Sequence, residues 1–175
     1  MSRLLYSATM SLDGYIAGPG GDMSWLSEHV GAVDLDVEAL MAEIGALLIG
    51  RRTYDGDDPN AGTDSEGAFG GRWEGPSVVL THRPPASAPP DVTFVTDLHE
   101  AVRAAKDAAK GKYVNVLGAD VARQCLAAGL LDEVLVFVVP VLLGDGTRLY
   151  EQPAGGRVAL EALPGRPGYW FRVVG

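Results

Sequence analysis

Leu47-Leu48-Ile49-Gly50-Arg51-Arg52-Thr53-Tyr54 is the stretch whose reading decides the fold. An apolar run too short for a helix meets a glycine, then two guanidinium groups and a hydroxyl. That is the pattern of a buried strand delivering its end to a phosphate site. The logic recurs at Tyr113-Val114-Asn115-Val116-Leu117-Gly118-Ala119-Asp120, where another strand runs into a helix start. Two such turns in one small acidic chain point to a single large phosphorylated ligand spanning both. A dinucleotide is the obvious candidate.

Working outward, Leu4 to Met10 reads as a first strand, and Ser11-Leu12-Asp13-Gly14 as the loop that ends it. Asp34 to Glu43 has helical periodicity, with Gly45 as its stop and Ala46 to Ile49 as the strand that follows. The polar, glycine-rich segment from Asp55 to Pro76 reads as a long surface loop. Strands are expected at 77–81 and 92–95. Asp97 caps the next helix, with Glu100 three residues on as in a capping box. A strand at 113–117, a helix over 120–128, and a β-prone run at 134–139 stopped by Pro140 come next. Val141 to Gly146 reads as a strand end and turn, and 158–163 with 169–174 as a terminal hairpin. The expectation is one domain over residues 1–175, an α/β fold whose mostly parallel sheet carries an antiparallel C-terminal edge.

At 175 residues and 47% apolar composition the chain is long enough to bury a sizeable core. No apolar run approaches the ~20 residues of a membrane span, and no secretory signal is visible at the start. A net charge of −9 argues against a nucleic-acid surface, which needs clustered cations. One cysteine, Cys125, precludes an internal disulfide and agrees with a reducing cytoplasm. Three histidines and that cysteine are too dispersed for a zinc-type cluster, so no metal is expected.

Each chemistry-bearing group has a plain reading beside the functional one. Gly50 to Thr53 holds phosphate, or is a strand end followed by a solvated basic turn. Thr81-His82-Arg83 suits a phosphomonoester, or is a polar loop before prolines. Leu117-Gly118-Ala119-Asp120 suits a pyrophosphate on a helix N-terminus, with Asp120 as an N-cap. Asp13 and Asp34 are carboxylates able to grip a heterocycle's amide edge or assist protonation. Equally, Asp13 suits a turn and Asp34 a helix cap. No GxGxxG, GxSxG, P-loop or HExxH occurs, which disfavours standard Rossmann, hydrolase and kinase chemistry.

Ser11-Leu12-Asp13-Gly14-Tyr15-Ile16-Ala17, Leu48 to Tyr54, and Gly129-Leu130-Leu131-Asp132-Glu133 through Pro140 to Gly146 together resemble the deaminase–reductase C-terminal domain family. This is the reductase half of the riboflavin-pathway enzyme and its stand-alone relatives. The resemblance spans Leu4 to about Tyr150. It implies the three-layer dihydrofolate reductase-like fold, with helices on both sheet faces, binding NADPH across the strand ends. By family pattern Ala8, Ile16 and Ala17 line the nicotinamide. Gly50, Arg51, Arg52 and Thr53 hold phosphates, and Thr81, His82 and Arg83 the 2′-phosphate. Leu117, Gly118, Ala119, Asp120 and Val121 take the pyrophosphate; the family carries glycine where this chain has Leu117. Asp34, at the register of the reductases' substrate carboxylate, and Asp13 are the catalytic candidates. The implied activity is NADPH-dependent reduction of a small heterocyclic or carbonyl substrate in a cytoplasmic homodimer. The alternative is a non-catalytic nucleotide-binding domain that kept the fold. No zinc deaminase motif accompanies it.

Overall fold

A computed structural model describes residues 1–29, 37–56, 62, 67–153 and 155–175. The strands are β1 (Leu4–Ser11), β2 (Tyr15–Ala17), β3 (Ile44–Gly50), β4 (Ser77–Leu80), β5 (Val92–Val95), β6 (Tyr113–Leu117), β7 (Glu133–Val139), β8 (Thr147–Arg148), β9 (Ala159–Ala162) and β10 (Tyr169–Val174). The helices are α1 (Val37–Glu43), α2 (Arg51–Tyr54), α3 (Leu98–Ala108) and α4 (Ala119–Ala127). Eight strands form one sheet in the order β5-β4-β3-β6-β1-β7-β10-β9, and β2 pairs with β8 beside it. The ladders from β5 through β7 are parallel, whereas β7–β10 and β10–β9 are antiparallel. The mostly parallel sheet with an antiparallel C-terminal edge is thus observed.

Both sheet faces are buried, which is why the central strands read as continuous apolar runs. Leu4, Tyr6, Leu48, Val114 and Val116 face one core, closed by Val102 and Ala105 of α3 and Val121 and Cys125 of α4. Leu5, Leu47, Ile49, Leu135 and Phe137 face the other, closed by Leu40 of α1 and by Trp170. Each fully buried leucine contributes about 1.5–3 kcal/mol. The Asp97 carboxylate accepts from the Glu100 N–H at 2.9 Å, so the α3 cap forms as its sequence requires.

Two expectations are corrected. Gly45 does not stop the helix; it lies within β3, at a register shift opposite β6. A β-carbon there would sit 2.2 Å from the Ala109 carbonyl oxygen, so close approach of the chain after α3 demands glycine. Val141 to Gly146 adds no strand. It is a loop, held where the Leu12 N–H donates to the Val141 carbonyl at 2.8 Å. The expected helix from Asp34 is described from Val37 onward, and Asp34 itself lies outside the described residues.

Among the described residues, no helix is long and apolar enough to cross a membrane. Nor could any group of three or more His, Cys, Asp or Glu among them hold a metal ion.

Candidate functional site

Parallel strands put three of the expected segments side by side. Gly50 is in register with Leu80, and Ile49 with Leu117. The turns after β4, β3 and β6 therefore line one edge of the sheet, where open α/β sheets bind ligands.

The β3 and β6 turns touch. Gly118 has φ +106°, a conformation L side chains rarely adopt, and a β-carbon on it would lie 2.4 Å from Thr53 Oγ1. On the other side, Gly50 faces Val121, whose Cγ1 is 3.6 Å from where a β-carbon would stand. Gly50 and Gly118 are the N-caps of α2 and α4 and supply no side-chain cap. The starts of both helices, each with first-turn N–H groups that no side chain caps, therefore lie against each other next to the Thr53 hydroxyl. Val121 is buried in the core below.

Charge around this spot is already partly committed. Arg51 pairs with Asp55 and lies over the Phe94 ring at 5.6 Å, leaving its Nη1 buried without a hydrogen-bond partner. Asp120 accepts from Arg123 and Gln124, each at 2.8 Å. The Arg123 bond comes first among the causes that hold its carboxyl below the usual range, and Arg52 adds a smaller pull. The aspartate's charge is thus balanced along its own helix. Next along the edge, Thr81 is buried, and its Oγ1 accepts from the Arg83 N–H at 3.1 Å. The His82 and Arg83 side chains are exposed.

Leu117 does not obstruct this junction. Its side chain packs on the core closed by Leu40, the face opposite α4. At this turn only residue 118 needs glycine for its backbone conformation.

Past Tyr6, strands β1 and β6 part. Their ladder ends at Tyr6–Val116, whereas the β1–β7 ladder runs on to Ser11–Val139. Ser7, Ala8, Thr9 and Met10 are consequently only half-buried, although they lie on a central strand. Ala8 packs toward α4. In β2, which packs against β1, Ile16 is half-buried and Ala17 buried.

Asp13 is fully occupied. Its Oδ1 accepts from Ser11 Oγ at 2.6 Å and the Leu143 N–H at 3.1 Å, and its Oδ2 from the Gly144 N–H at 2.7 Å. The Ser11 bond, with the two amides, holds this carboxyl down to about 2. Ser11 Oγ in turn accepts from the Tyr15 N–H at 2.9 Å. One carboxylate thus ties the turn after β1 to the loop after β7.

Sequence reasoning overlooked Ser7 and Asn115, which bond to each other at 2.8 Å. It also overlooked Glu133, a buried carboxylate that accepts from Arg3, Tyr113 and Trp170 at 2.5, 2.9 and 2.7 Å. A polar residue inside an apolar strand, as in Val114-Asn115-Val116, was the available signal.

The model of the RibD C-terminal domain matches residues 3–162. The chain belongs to the RibD C-terminal domain family. An uncharacterized Bacillus subtilis protein, YwjB, is 27% identical over 153 residues, 85% of this chain and 82% of that one. Three solved structures share the fold of this RibD C-terminal domain. A protein of Shewanella sp. PV-4, provisionally assigned to riboflavin biosynthesis, has a TM-score of 0.72 at 22% identity, covering 99% of both chains. The Thermotoga maritima diaminohydroxyphosphoribosylaminopyrimidine deaminase/5-amino-6-(5-phosphoribosylamino)uracil reductase gives 0.62 at 18% identity; 98% of this domain matches 55% of that chain. Enterococcus faecalis dihydrofolate reductase, complexed with NADP(H), gives 0.57 at 14% identity, covering 98% and 94%. The fold is therefore dihydrofolate reductase-like.

Proposed function

We propose that this domain is an NADPH-dependent reductase of a small heterocyclic or carbonyl substrate. The observation that carries the reading is the contact of the two strand-end turns. Thr53 sits where any side chain on residue 118 would, so two uncapped helix starts meet at the Thr53 hydroxyl. A dinucleotide suits this cradle, and the fold is shared with the Thermotoga deaminase/reductase and with a dihydrofolate reductase complexed with NADP(H).

Gly50, Thr53, Gly118 and Ala119 would hold the pyrophosphate through N–H groups and a hydroxyl. Arg52 supplies positive charge, because Arg51 is spent on Asp55 and Phe94. His82 and Arg83, exposed on the neighbouring strand end, read a 2′-phosphate. When bound, the nicotinamide supplies a hydride to an electrophilic carbon. Ala8, Ile16 and Ala17 offer small and apolar surface beside the place where β1 and β6 part. Asp13, ionised and engaged by three donors, positions the loop rather than giving a proton. Asp34 is the carboxylate we assign to the substrate ring. The antiparallel edge exposes Leu160, Tyr169 and Val174, which supports pairing of two copies.

Titration with NADPH and NADH, followed by nicotinamide emission, tests the reading. NADPH is expected to bind at least tenfold tighter, with the preference lost in Arg83→Ala. Arg52→Ala should weaken both nucleotides about tenfold or more, the worth of one charge-assisted hydrogen bond. Absence of binding by either nucleotide would overturn it.

A further inference from the structure

Asn115 is a buried polar residue whose hydrogen-bonding capacity is only partly used. It lies on β6 between Leu5 of β1 and Leu47 of β3, fully buried, on a mostly apolar face that also holds the fully bonded Glu133. Its carboxamide makes one hydrogen bond, received at Oδ1 from Ser7 Oγ at 2.8 Å, and its Nδ2 is buried with no partner. An orphaned buried donor costs about 1–3 kcal/mol, and a leucine would fill the place without that cost. The opposite amide orientation would orphan Oδ1 instead and free the Ser7 proton, so the way the carboxamide lies sets the polarity of the Ser7 hydroxyl.

Ser7 is the first β1 residue beyond the end of the β6 ladder, and it is half-buried rather than enclosed. Thr9, on the same face, extends the line of hydroxyls toward Ser11. With the carboxamide as observed, Ser7 spends its proton on Asn115 Oδ1, and what remains on its oxygen is lone pairs. In the observed orientation a hydroxyl acceptor stands just past the end of the β1–β6 ladder.

We infer that Ser7 is a substrate-binding residue, that Asn115 is the positioning residue fixing its hydroxyl as an acceptor, and that the pair selects a ring bearing an N–H over an aprotic carbonyl. This rests on the reductase reading only in taking the ring to be the substrate. Buried groups built to pair with a ligand donor reject the analogue lacking it far more strongly than apolar surfaces reject a methyl group.

The test uses 2-pyridone and N-methyl-2-pyridone, matched rings that differ in the donor, with affinities taken from saturation-transfer NMR titrations in the presence and absence of NADPH. The wild type should prefer 2-pyridone at least tenfold. Asn115→Leu should melt no lower than wild type yet lose that preference. Ser7→Ala, which orphans the Asn115 carboxamide and should melt lower, should lose it too, whereas Ser7→Thr, which keeps the hydroxyl, should retain it. NADPH affinity should be equal in all four proteins. Equal binding of the two pyridones by wild type, failure of both to bind, or a preference surviving in Ser7→Ala would overturn the inference. Loss of NADPH binding alone, with the Ser7-dependent preference intact, would count against the reductase reading and leave this inference standing.

Discussion

Thr53 Oγ1 fills the space that a β-carbon on Gly118 would need, 2.4 Å away, across 65 positions of sequence. The contact joins the turn after β3 to the turn after β6 and sets where two helix starts converge. It requires a residue with no side chain on one strand end and a short hydroxyl on the other.

Gly118→Ala should therefore fail on two counts, backbone strain at positive φ and overlap with Thr53. We expect a loss of about 1–3 kcal/mol in chemical denaturation, with nucleotide affinity falling in parallel. Thr53→Ala added to Gly118→Ala should recover part of the stability by removing the overlap, and none of the strain. Strict additivity in this double-mutant cycle would show that the contact carries no energy.

At Gly45 the obstacle is backbone rather than side chain. A methyl group would sit 2.2 Å from the Ala109 carbonyl oxygen, which cannot rotate away. Gly45→Ala should cost about 1–3 kcal/mol or more. The affected opening should be local to the end of α3 and the start of β3, visible as faster amide exchange there. A melting temperature equal to wild type would contradict the close approach.

Asp13 gives a pH dependence of definite sign. Its folded pKa, about 2, lies below the ordinary aspartate value, so the clamp stabilises the fold fully above pH ~4. That contribution is lost as pH falls from about 4 through 2, where protonation removes an acceptor from Leu143 or Gly144. The amide proton shifts of those two residues should titrate together with a midpoint near 2. Asp13→Asn, which keeps one acceptor oxygen, should expose one of the two amides to exchange at neutral pH while leaving NADPH affinity largely intact. A midpoint near 4 would show that the carboxylate is free.

Glu133 ties β7 to β1, β6 and β10, at the opposite ends of the strands from the nucleotide turns. Glu133→Ala orphans the Tyr113 hydroxyl and the Trp170 indole N–H, each at about 1–3 kcal/mol. A large drop in denaturation midpoint with unchanged nucleotide affinity is expected. If the affinity fell first, the two ends of the sheet would be coupled.

The element order was legible from local signals. Apolar runs of four to seven residues ending in glycine, the Asp97–Glu100 cap and the β-branched run before Pro140 are short-range patterns, and each formed as its spacing required. Gly45 was misread because a helix-stopping glycine and a close-approach glycine look alike until the partner, Ala109, is known. The sequence by itself determined that strands would end in glycine turns and that polar residues would gather at those ends. Only the tertiary structure decided that β3 and β6 are neighbours, that β1 leaves β6 at Tyr6, and that Ser7 meets Asn115. Strand order is a property of pairing between distant segments. It follows from which faces can be buried together, and no window of sequence contains it.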